Sequence, residues 1–408
     1  MLSKLCMVIP SYWARKGDTI WLPGDAVYDH PTPLDMEGTL LRLLKSLKII
    51  ESENLTVIVV AIPTCVEIAD DVESKVTAII KETKKEVDHS IHVFGPSHLK
   101  KVHESLESKG RAEFNKLLEL KGYSNVRNIC LFVAHLQGAK TVILIDDDEV
   151  FDDPHFVDKA MEFIGKSYNG YPVYAIAGYY LQEDGDYHVK KAYEPWMEYW
   201  DQVDRMNEGF DRFISQPPRL KETPFVFGGN MIIHRNLFMK VPFDPLVPRG
   251  EDIDYLINSR MFGYHFFIDN TLAIRHLPPP KSHPAWRRLR EDVFRFLFER
   301  EKIRGQREMR GMVRVEPEDF DPYPGAFLKG DLEQKVEKAS HILAEMYERS
   351  GDLDSARETL ETVTLMQKIL GEEKDPFGDM IRLQERWENL MEFTDRLLFR
   401  EEMKGILQ

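Results

Sequence analysis

Apolar and polar positions fall into alternating blocks along the first 150 residues, and the blocks read as strands and helices in turn. Residues 5–9 form a short apolar run ended by Pro10, the pattern of a buried strand. Residues 38–51 then place Leu40, Leu43, Leu44 and Leu47 at i, i+3, i+4 and i+7, one face of an amphipathic helix. Residues 55–62 (LTVIVVAI) are apolar and largely β-branched, which suits a strand buried on both faces. A helix over 68–87, a strand over 91–94, a helix over 125–137 and a strand over 142–145 continue the alternation. In the second of these helices Val126, Ile129, Cys130 and Val133 share a face, and Gly138 stands where a C-terminal cap belongs. Such alternation predicts βαβ units, hence an α/β fold with a mainly parallel sheet flanked by helices. Ligands of these sheets sit beyond the carboxyl ends of the strands. Pro10-Ser11-Tyr12 and Asp146-Asp147-Asp148-Glu149 fall at two such ends.

The second half is less regular. Residues 173–177 and 225–234 read as strands around a long acidic, aromatic-rich insertion, and 264–274 as another strand or hairpin. The pattern breaks at Leu277-Pro278-Pro279-Pro280. Residues 281–314 carry 11 Lys and Arg against 5 Asp and Glu, a local net of +6, and from residue 332 the pattern is helical. These shifts divide the chain into an α/β catalytic domain over 1–280, a basic connector over 281–330 and a helical domain over 331–408. Within the last, residues 339–363 resemble one tetratricopeptide-type helix–turn–helix. Gly351-Asp352 would form the turn, and Ala339, Ala344, Tyr347 and Ala356 the packing positions. A repeat array needs about three units, so a helical hairpin packed on the α/β part is expected.

Composition narrows the class. The chain has 408 residues, 43% hydrophobic and 11% aromatic, enough for a sizeable core. Its 54 Lys and Arg against 69 Asp and Glu leave a net charge of −15, which argues against a generic nucleic-acid binder. Cys6, Cys65 and Cys130 lie in apolar stretches at neither disulfide-framework nor zinc spacings, and read as reduced core thiols. Residues 1–13 lack the long apolar region of a signal peptide. The longest apolar run, 55–66, falls short of the ~20 residues that span a bilayer. A soluble, cytoplasmic protein is expected.

The most informative segment is 142–149 (VILIDDDE). A buried strand that ends in three carboxylates carries repulsion and desolvation unless a cation sits there. Oxygen donors in this number suit Mg²⁺ or Mn²⁺, and those ions suit a diphosphate. A solvated turn capping the next helix is the plainer alternative, although it needs only one of the acids. Two enzyme classes place aspartates this way. Haloacid-dehalogenase-like phosphatases carry Asp-x-Asp-x-Thr/Val, which Asp146, Asp148 and Val150 match, with Asp146 as nucleophile. Nucleotide-sugar glycosyltransferases of the GT-A type carry a metal-holding Asp-x-Asp. The local string fits both.

Four features in order, over about residues 5–280, resemble the family 2-like glycosyltransferases. They are Val8-Ile9-Pro10-Ser11-Tyr12 at the first strand and Asn125-Val126-Arg127-Asn128 opening a helix. Next comes Phe227-Gly228-Gly229-Asn230-Met231, followed by Arg235 and Pro242-Phe243-Asp244. Last is Gly250-Glu251-Asp252-Ile253-Asp254, followed by Gly263-Tyr264 and a strand ending at His276. The phosphatase motif usually opens its fold, whereas here about 140 residues of α/β pattern come first.

The resemblance implies a GT-A fold with a mixed, mostly parallel sheet, a nucleotide-diphosphate sugar as donor, and Mn²⁺ or Mg²⁺ as cofactor. It assigns Asp148, with Asp146 and His276, to the metal; an imidazole ligand favours Mn²⁺ somewhat. It assigns Pro10, Ser11, Tyr12, Arg127, Asp146, Asp147, Gly229 and Asn230 to the nucleotide sugar, the glycines letting backbone approach it closely. Asp252, with Glu251 beside it, falls at the position of the general base of inverting members; inversion or retention stays open. The segment between Tyr12 and Gly38 is longer than in most relatives. It holds Trp13, Arg15, Lys16, Trp21, Asp29 and Asp35, and a loop of that length is commonly functional.

The acceptor is unassigned. The aromatic run 193–200 suits either sugar stacking or core. The basic helix around 286–298 suits a solvated face paired with the acidic tail, or else a phosphorylated acceptor or an anionic membrane surface. Two alternatives stand beside the glycosyltransferase: a phosphotransfer hydrolase built on Asp146, and a non-catalytic protein that binds partners through its helical tail.

Overall fold

The computed structural model describes residues 5–17, 22–52, 54–279 and 283–396, with Glu402 and Gly405. Trp21, and the domain boundary expected at 280–281, lie outside the described residues. The first half alternates as its pattern predicts: β1 (Leu5–Ala14), β2 (Thr32–Pro33), α1 (Leu40–Ser46), β3 (Leu55–Pro63), α2 (Ala69–Thr83), β4 (Ser90–Phe94), α3 (Pro96–Ser108), α4 (Tyr123–Leu136), β5 (Thr141–Leu144). Next come β6 (Glu149–Val150), α5 (Phe156–Phe163), the hairpin β7 (Ser167–Tyr168) and β8 (Tyr171–Pro172), β9 (Ala175–Leu181) and α6 (Gln202–Phe213). The α/β part continues with β10 (Leu220–Glu222), β11 (Met231–His234), α7 (Arg235–Phe238), α8 (Glu251–Met261) and β12 (Phe266–His276). Four long helices follow: α9 (Ala285–Arg304), α10 (Leu332–Ser350), α11 (Leu353–Leu370) and α12 (Pro376–Thr394).

The main sheet runs β10-β12-β9-β11-β5-β1-β3-β4, with β2 beside β1 and β6 beside β12. β1, β3, β4 and β5 are parallel, as are β9 and β12. β11 lies antiparallel between β5 and β9 and makes the sheet mixed. The period-2 pattern of the strands sends alternate side chains to two cores. Leu5, Met7 and Ile9 pack with α1, α2 and α5 on one face. Cys6 and Val8 join the core that holds α4, α8 and α9 on the other.

The first strand does not stop at Pro10, where the sequence pattern ends it. It continues to Ala14, paired with β3 as far as Trp13↔Pro63. The Val8 C=O accepts from the Ile145 N–H at 3.2 Å. Pro10, two residues on, therefore turns its missing N–H to the same side, where β5 has already ended. The extension carries Tyr12 past the sheet edge and into the site.

The helical tail shares the α4-side core, which runs continuously to Trp387, Leu390 and Met391 of α12. The Trp387 indole donates to the Phe238 C=O at 2.9 Å. α10 and α11 form the expected hairpin around Gly351, which is left-handed at φ 83°. In the aromatic run 193–200, Trp196, Met197 and Trp200 are buried and Tyr193 is exposed. Trp200 packs against Phe327 and Phe296 at 4.9 and 5.9 Å between ring centres.

The stretch read as a basic connector contains α9, where Asp292, Arg295, Glu299, Arg300 and Lys302 are buried. Lys302 is fully buried and donates to Asp254 at 2.6 Å, Asp244 at 3.1 Å and Asn258 at 3.1 Å. Arg300 binds Glu333 of α10 at 2.6 Å, and Arg290 binds Glu358 of α11 at 3.0 Å. Among the described residues, no helix is long and apolar enough to cross a membrane.

Candidate active site

The carboxyl ends of β1 and β5 and the start of α8 open into one cleft of about 1010 Å³. The chain leaves β5 at Ile145, turns through the acidic run and re-enters the sheet as β6, where Glu149 stands opposite His276 of β12. That register carries His276 to Asp148, Nε2 to Oδ2 at 3.3 Å. A second imidazole reaches the same oxygen: His30 Nε2 lies 2.9 Å from Asp148 Oδ2.

The four acids are handled differently. Asp148 is 3% exposed; burial works against its charge, yet the two imidazoles hold its carboxyl well below the usual carboxylate range. Asp147 turns inward, accepting from Ser11 Oγ at 2.6 Å and Thr39 Oγ1 at 3.2 Å. Burial and the neighbouring Asp148 charge push it up to about 7. Glu149 accepts from the Asp146 N–H at 3.1 Å, its Oε1 has no hydrogen-bond partner among the described residues, and burial drives its carboxyl well upward. Asp146 faces the cleft and pairs with Arg127 Nη2 at 2.8 Å.

Arg127, 4% exposed on α4, spans two acids: Asp146, and Glu251 at 3.3 Å through Nε. Among the described residues its Nη1 has no hydrogen-bond partner, and neither has the buried Tyr12 hydroxyl. Tyr12 lies against Tyr28 at 4.3 Å and Tyr123 at 5.5 Å between ring centres, a three-tyrosine wall along the cleft.

α8 starts after Gly250, held left-handed at φ 74°. A Cβ there would fall 2.3 Å from Arg295 Nη1, so any other residue would be strained and would displace Arg295. Glu251 and Asp252 follow in the first turn. Burial pushes Glu251 up to about 7 against the pull of Arg127. Asp252 is also raised by burial, with Arg295 opposing. One Asp252 oxygen accepts the Ile253 N–H at 2.9 Å. Asp252 has no ion-pair partner among the described residues, and its Oδ2 faces Gly228.

Pro10, Tyr12, Arg127, Asp146, Asp147, Asp148, Glu251, Asp252 and His276 thus line one cleft. Ser11, Gly229 and Asn230 stand behind its surface. Ser11 is fully buried on Asp147. Gly229 donates to the Tyr180 hydroxyl at 2.7 Å, and a Cβ on it would meet Glu149 Oε1 at 2.1 Å and Asp146 Oδ2 at 2.7 Å. Asn230 ties strands together through the Leu272 and Tyr179 carbonyls at 3.1 and 3.3 Å. Its glycine neighbour therefore serves the packing of the acids rather than an open backbone face.

The long segment after β1 supplies Tyr28, Asp29 and His30 to the cleft. Nothing local in the sequence marks His30 among that segment's residues; its only sequence signal is the length of the loop. The loop is pinned where the Asp29 N–H donates to the Tyr123 hydroxyl at 2.7 Å.

No protein-family model matches the chain, and no curated protein matches it. Among solved structures it is similar to a mannosyltransferase, PcManGT from Pyrobaculum calidifontis, in complex with GDP-Man and Mn²⁺. The TM-score is 0.46 at 14% identity, over 97% of this chain and 87% of that one. It is similar to glucosyl-3-phosphoglycerate synthase from Mycobacterium tuberculosis, in complex with Mn²⁺ and UDP-Glc (TM-score 0.30, 15% identity, 68% of this chain and 73% of that one). GalNAc-T7 with UDP, GalNAc and Mn²⁺ gives a TM-score of 0.37 at 12% identity, over 85% of this chain and 58% of that one.

The residues around Asp148 supply donors of the kind a divalent cation takes, a buried, ionised carboxylate bonded by two imidazoles, although as they stand the three do not close into one ligand set. Carboxylate and imidazole donors together suit Mn²⁺ and accept Mg²⁺. Elsewhere Asp25, Cys65 and Glu67 do converge within 4.8 Å, but there Arg15 reaches both carboxylates at 3.1 Å and supplies the protein's own cation.

Proposed function

We propose that this chain is a metal-dependent glycosyltransferase of the GT-A type. It moves a sugar, a hexose in the simplest case, from a nucleotide-diphosphate sugar to an acceptor hydroxyl in the cytoplasm. The observation that carries the proposal is Asp148 between His30 and His276, in the same cleft as an ion-pair-free carboxylate, Asp252.

Asp148, His276 and His30 would hold Mn²⁺ or Mg²⁺, with Asp146 directed to the donor ribose or the ion's water shell. The ion, when bound, supplies positive charge for the diphosphate leaving group. Tyr12, Tyr28 and Tyr123 offer ring faces and edges to the base. The Tyr12 hydroxyl and Arg127 Nη1 are buried donors with nothing yet to bond, and donor polar groups would satisfy them. Asp252 would accept the proton of the acceptor hydroxyl in an inverting displacement. A carboxyl raised above its ordinary value is the better base for that step. Arg127 holds Glu251 beside it and fixes the start of α8.

Phosphotransfer through Asp146 is disfavoured. Its ion pair with Arg127 blunts a nucleophile, and the two imidazoles on Asp148 keep ionised the group that would have to donate a proton.

A thermal-shift screen of nucleotide-diphosphate sugars, with and without Mn²⁺, tests the proposal. Stabilisation by at least one donor only when the metal is present is expected. Turnover of a phosphate ester that is lost in Asp146→Asn, with no nucleotide binding, would overturn it.

A further inference from the structure

The wall of the cleft formed by α9 carries a cation that the fold leaves unmatched. Ala285, Arg288, Leu289, Asp292 and Arg295 recur at helical spacing and all line the cleft. Arg295 donates to Asp292 at 2.9 Å and to the Tyr323 hydroxyl at 2.6 Å, and it lies against Gly250, two residues from Asp252.

The other cations lining the cleft are similarly engaged. Arg127 spans Asp146 and Glu251. Arg249 binds Asp29 at 3.0 Å, Lys190 binds Asp186 at 3.2 Å, and Lys191 sits 4.8 Å over the Trp196 ring. Arg288 is half-buried, and among the described residues its guanidinium has no hydrogen-bond or ion-pair partner. The acids next along its own helix are already taken. Glu291 is bound by Arg287 at 3.2 Å and Arg249 at 3.7 Å, and Asp292 by Arg295. A planar guanidinium left unpaired in a concave wall suits a phosphate or carboxylate, which it grips through two N–H groups at once.

The helix supplies a ruler. Arg288 and Arg295 are seven residues apart, about two turns or ~10 Å along the axis. Arg295 marks the end of the stripe nearest Asp252.

We propose that Arg288 binds an anionic group, a phosphate or carboxylate, on the acceptor. The acceptor is then a small hydroxylated anion, its reacting hydroxyl at Asp252 and its charge further along the cleft at Arg288. This rests on the glycosyltransferase assignment. The same chemistry could come from the donor's own diphosphate, and the experiment separates the two sources.

Calorimetric titrations of the full chain with Mg²⁺ use two probes, inorganic phosphate and a nucleoside diphosphate, on wild type, Arg288→Gln and Arg288→Lys. Phosphate is expected to bind wild type saturably with the nucleoside diphosphate already in place. Arg288→Gln should weaken phosphate at least tenfold, Arg288→Lys should restore part of the loss, and nucleotide affinity should stay within twofold. Thermal melts report whether each variant folds, and the lysine variant carries the test if the glutamine variant does not.

Phosphate affinity that is absent, or unchanged in both variants, means an adventitious ion only and overturns the proposal. Phosphate that competes with the nucleotide, together with a tenfold fall in nucleotide affinity in Arg288→Gln, assigns the anion to the donor and also overturns it. Failure of the glycosyltransferase assignment looks different: no nucleoside diphosphate binds wild type with any metal. Arg288-dependent phosphate binding in that case keeps the anion site and discards the acceptor role.

Discussion

The end of β5 and the face of α9 both bury charge, and they do so in opposite ways. α9 buries its ions in matched sets: Lys302 with Asp244 and Asp254, Arg295 with Asp292, Arg300 with Glu333. The β5 end packs Asp146, Asp147, Asp148 and Glu149 around one arginine and two imidazoles, with Glu149 Oε1 and Arg127 Nη1 left over. Matched buried ions hold elements together at little net gain, and breaking one is costly. An unmatched carboxylate cluster is a standing cost to the fold, offset once a cation arrives. The contrast separates charges that are matched within the fold from charges that are not, and it can be broken at either end.

The largest effect is expected at Asp148. Asp148→Ala should lower metal-dependent nucleotide affinity by more than ~100-fold, since even the outer partners of metal ligands are worth ~10–100-fold. The metal-free melting temperature should hold or rise. Calorimetry with and without Mn²⁺ reads this, and retained Mn²⁺-dependent affinity would show that the cluster is structural.

Asp252→Asn should cut turnover by ~10²–10⁴-fold while nucleotide affinity stays within threefold. Near wild-type turnover removes Asp252 from the base role.

Lys302→Met tests the matched side. It strands Asp244 and Asp254 in the core and should cost ~3–5 kcal/mol of stability, measured by urea unfolding. A loss below about 1 kcal/mol would mean that the two acids simply take up protons.

The smallest effect sharpens the comparison, because α9 has its own unmatched acid. Both Glu299 oxygens are buried with no hydrogen-bond partner among the described residues, and burial pushes the carboxyl up to about 8. From its ordinary value of 4.5 up to about 8, the unfolded chain ionises while the folded one keeps its proton, so stability falls as pH rises through that window. Glu299→Gln should therefore raise the melting temperature by more at pH 9 than at pH 5. An equal gain at both would mean that Glu299 does not titrate on folding.

What could be read from the sequence follows the range of the forces involved. The buried strands announce themselves because residues 55–62 must be apolar on both faces. The acidic run stands out because it directly follows such a strand. His30 could not be read the same way, since its partner lies 118 positions away and reaches it only through loop closure. α9 reads as a basic connector in part because the acids that neutralise Lys302, Asp244 and Asp254, stand 58 and 48 positions back. Composition counts charges in a window and cannot see a counter-ion outside it. Pro10 misleads for a related reason. Its cost depends on which neighbour has run out at that point in the sheet, and no local pattern records that.

The Lys302 network also bears on how such a protein can change over time. The Pro-rich stretch at 277–280 invites recombination, as a natural seam between two portable pieces. Yet the cation that completes the buried acids Asp244, before α8, and Asp254, within it, is encoded downstream of that seam. A crossover there would hand one descendant two orphaned carboxylates and the other an orphaned ammonium. α8 and α9 must therefore be inherited together, and diversification is freer in the loops around the cleft than in exchange of the whole tail.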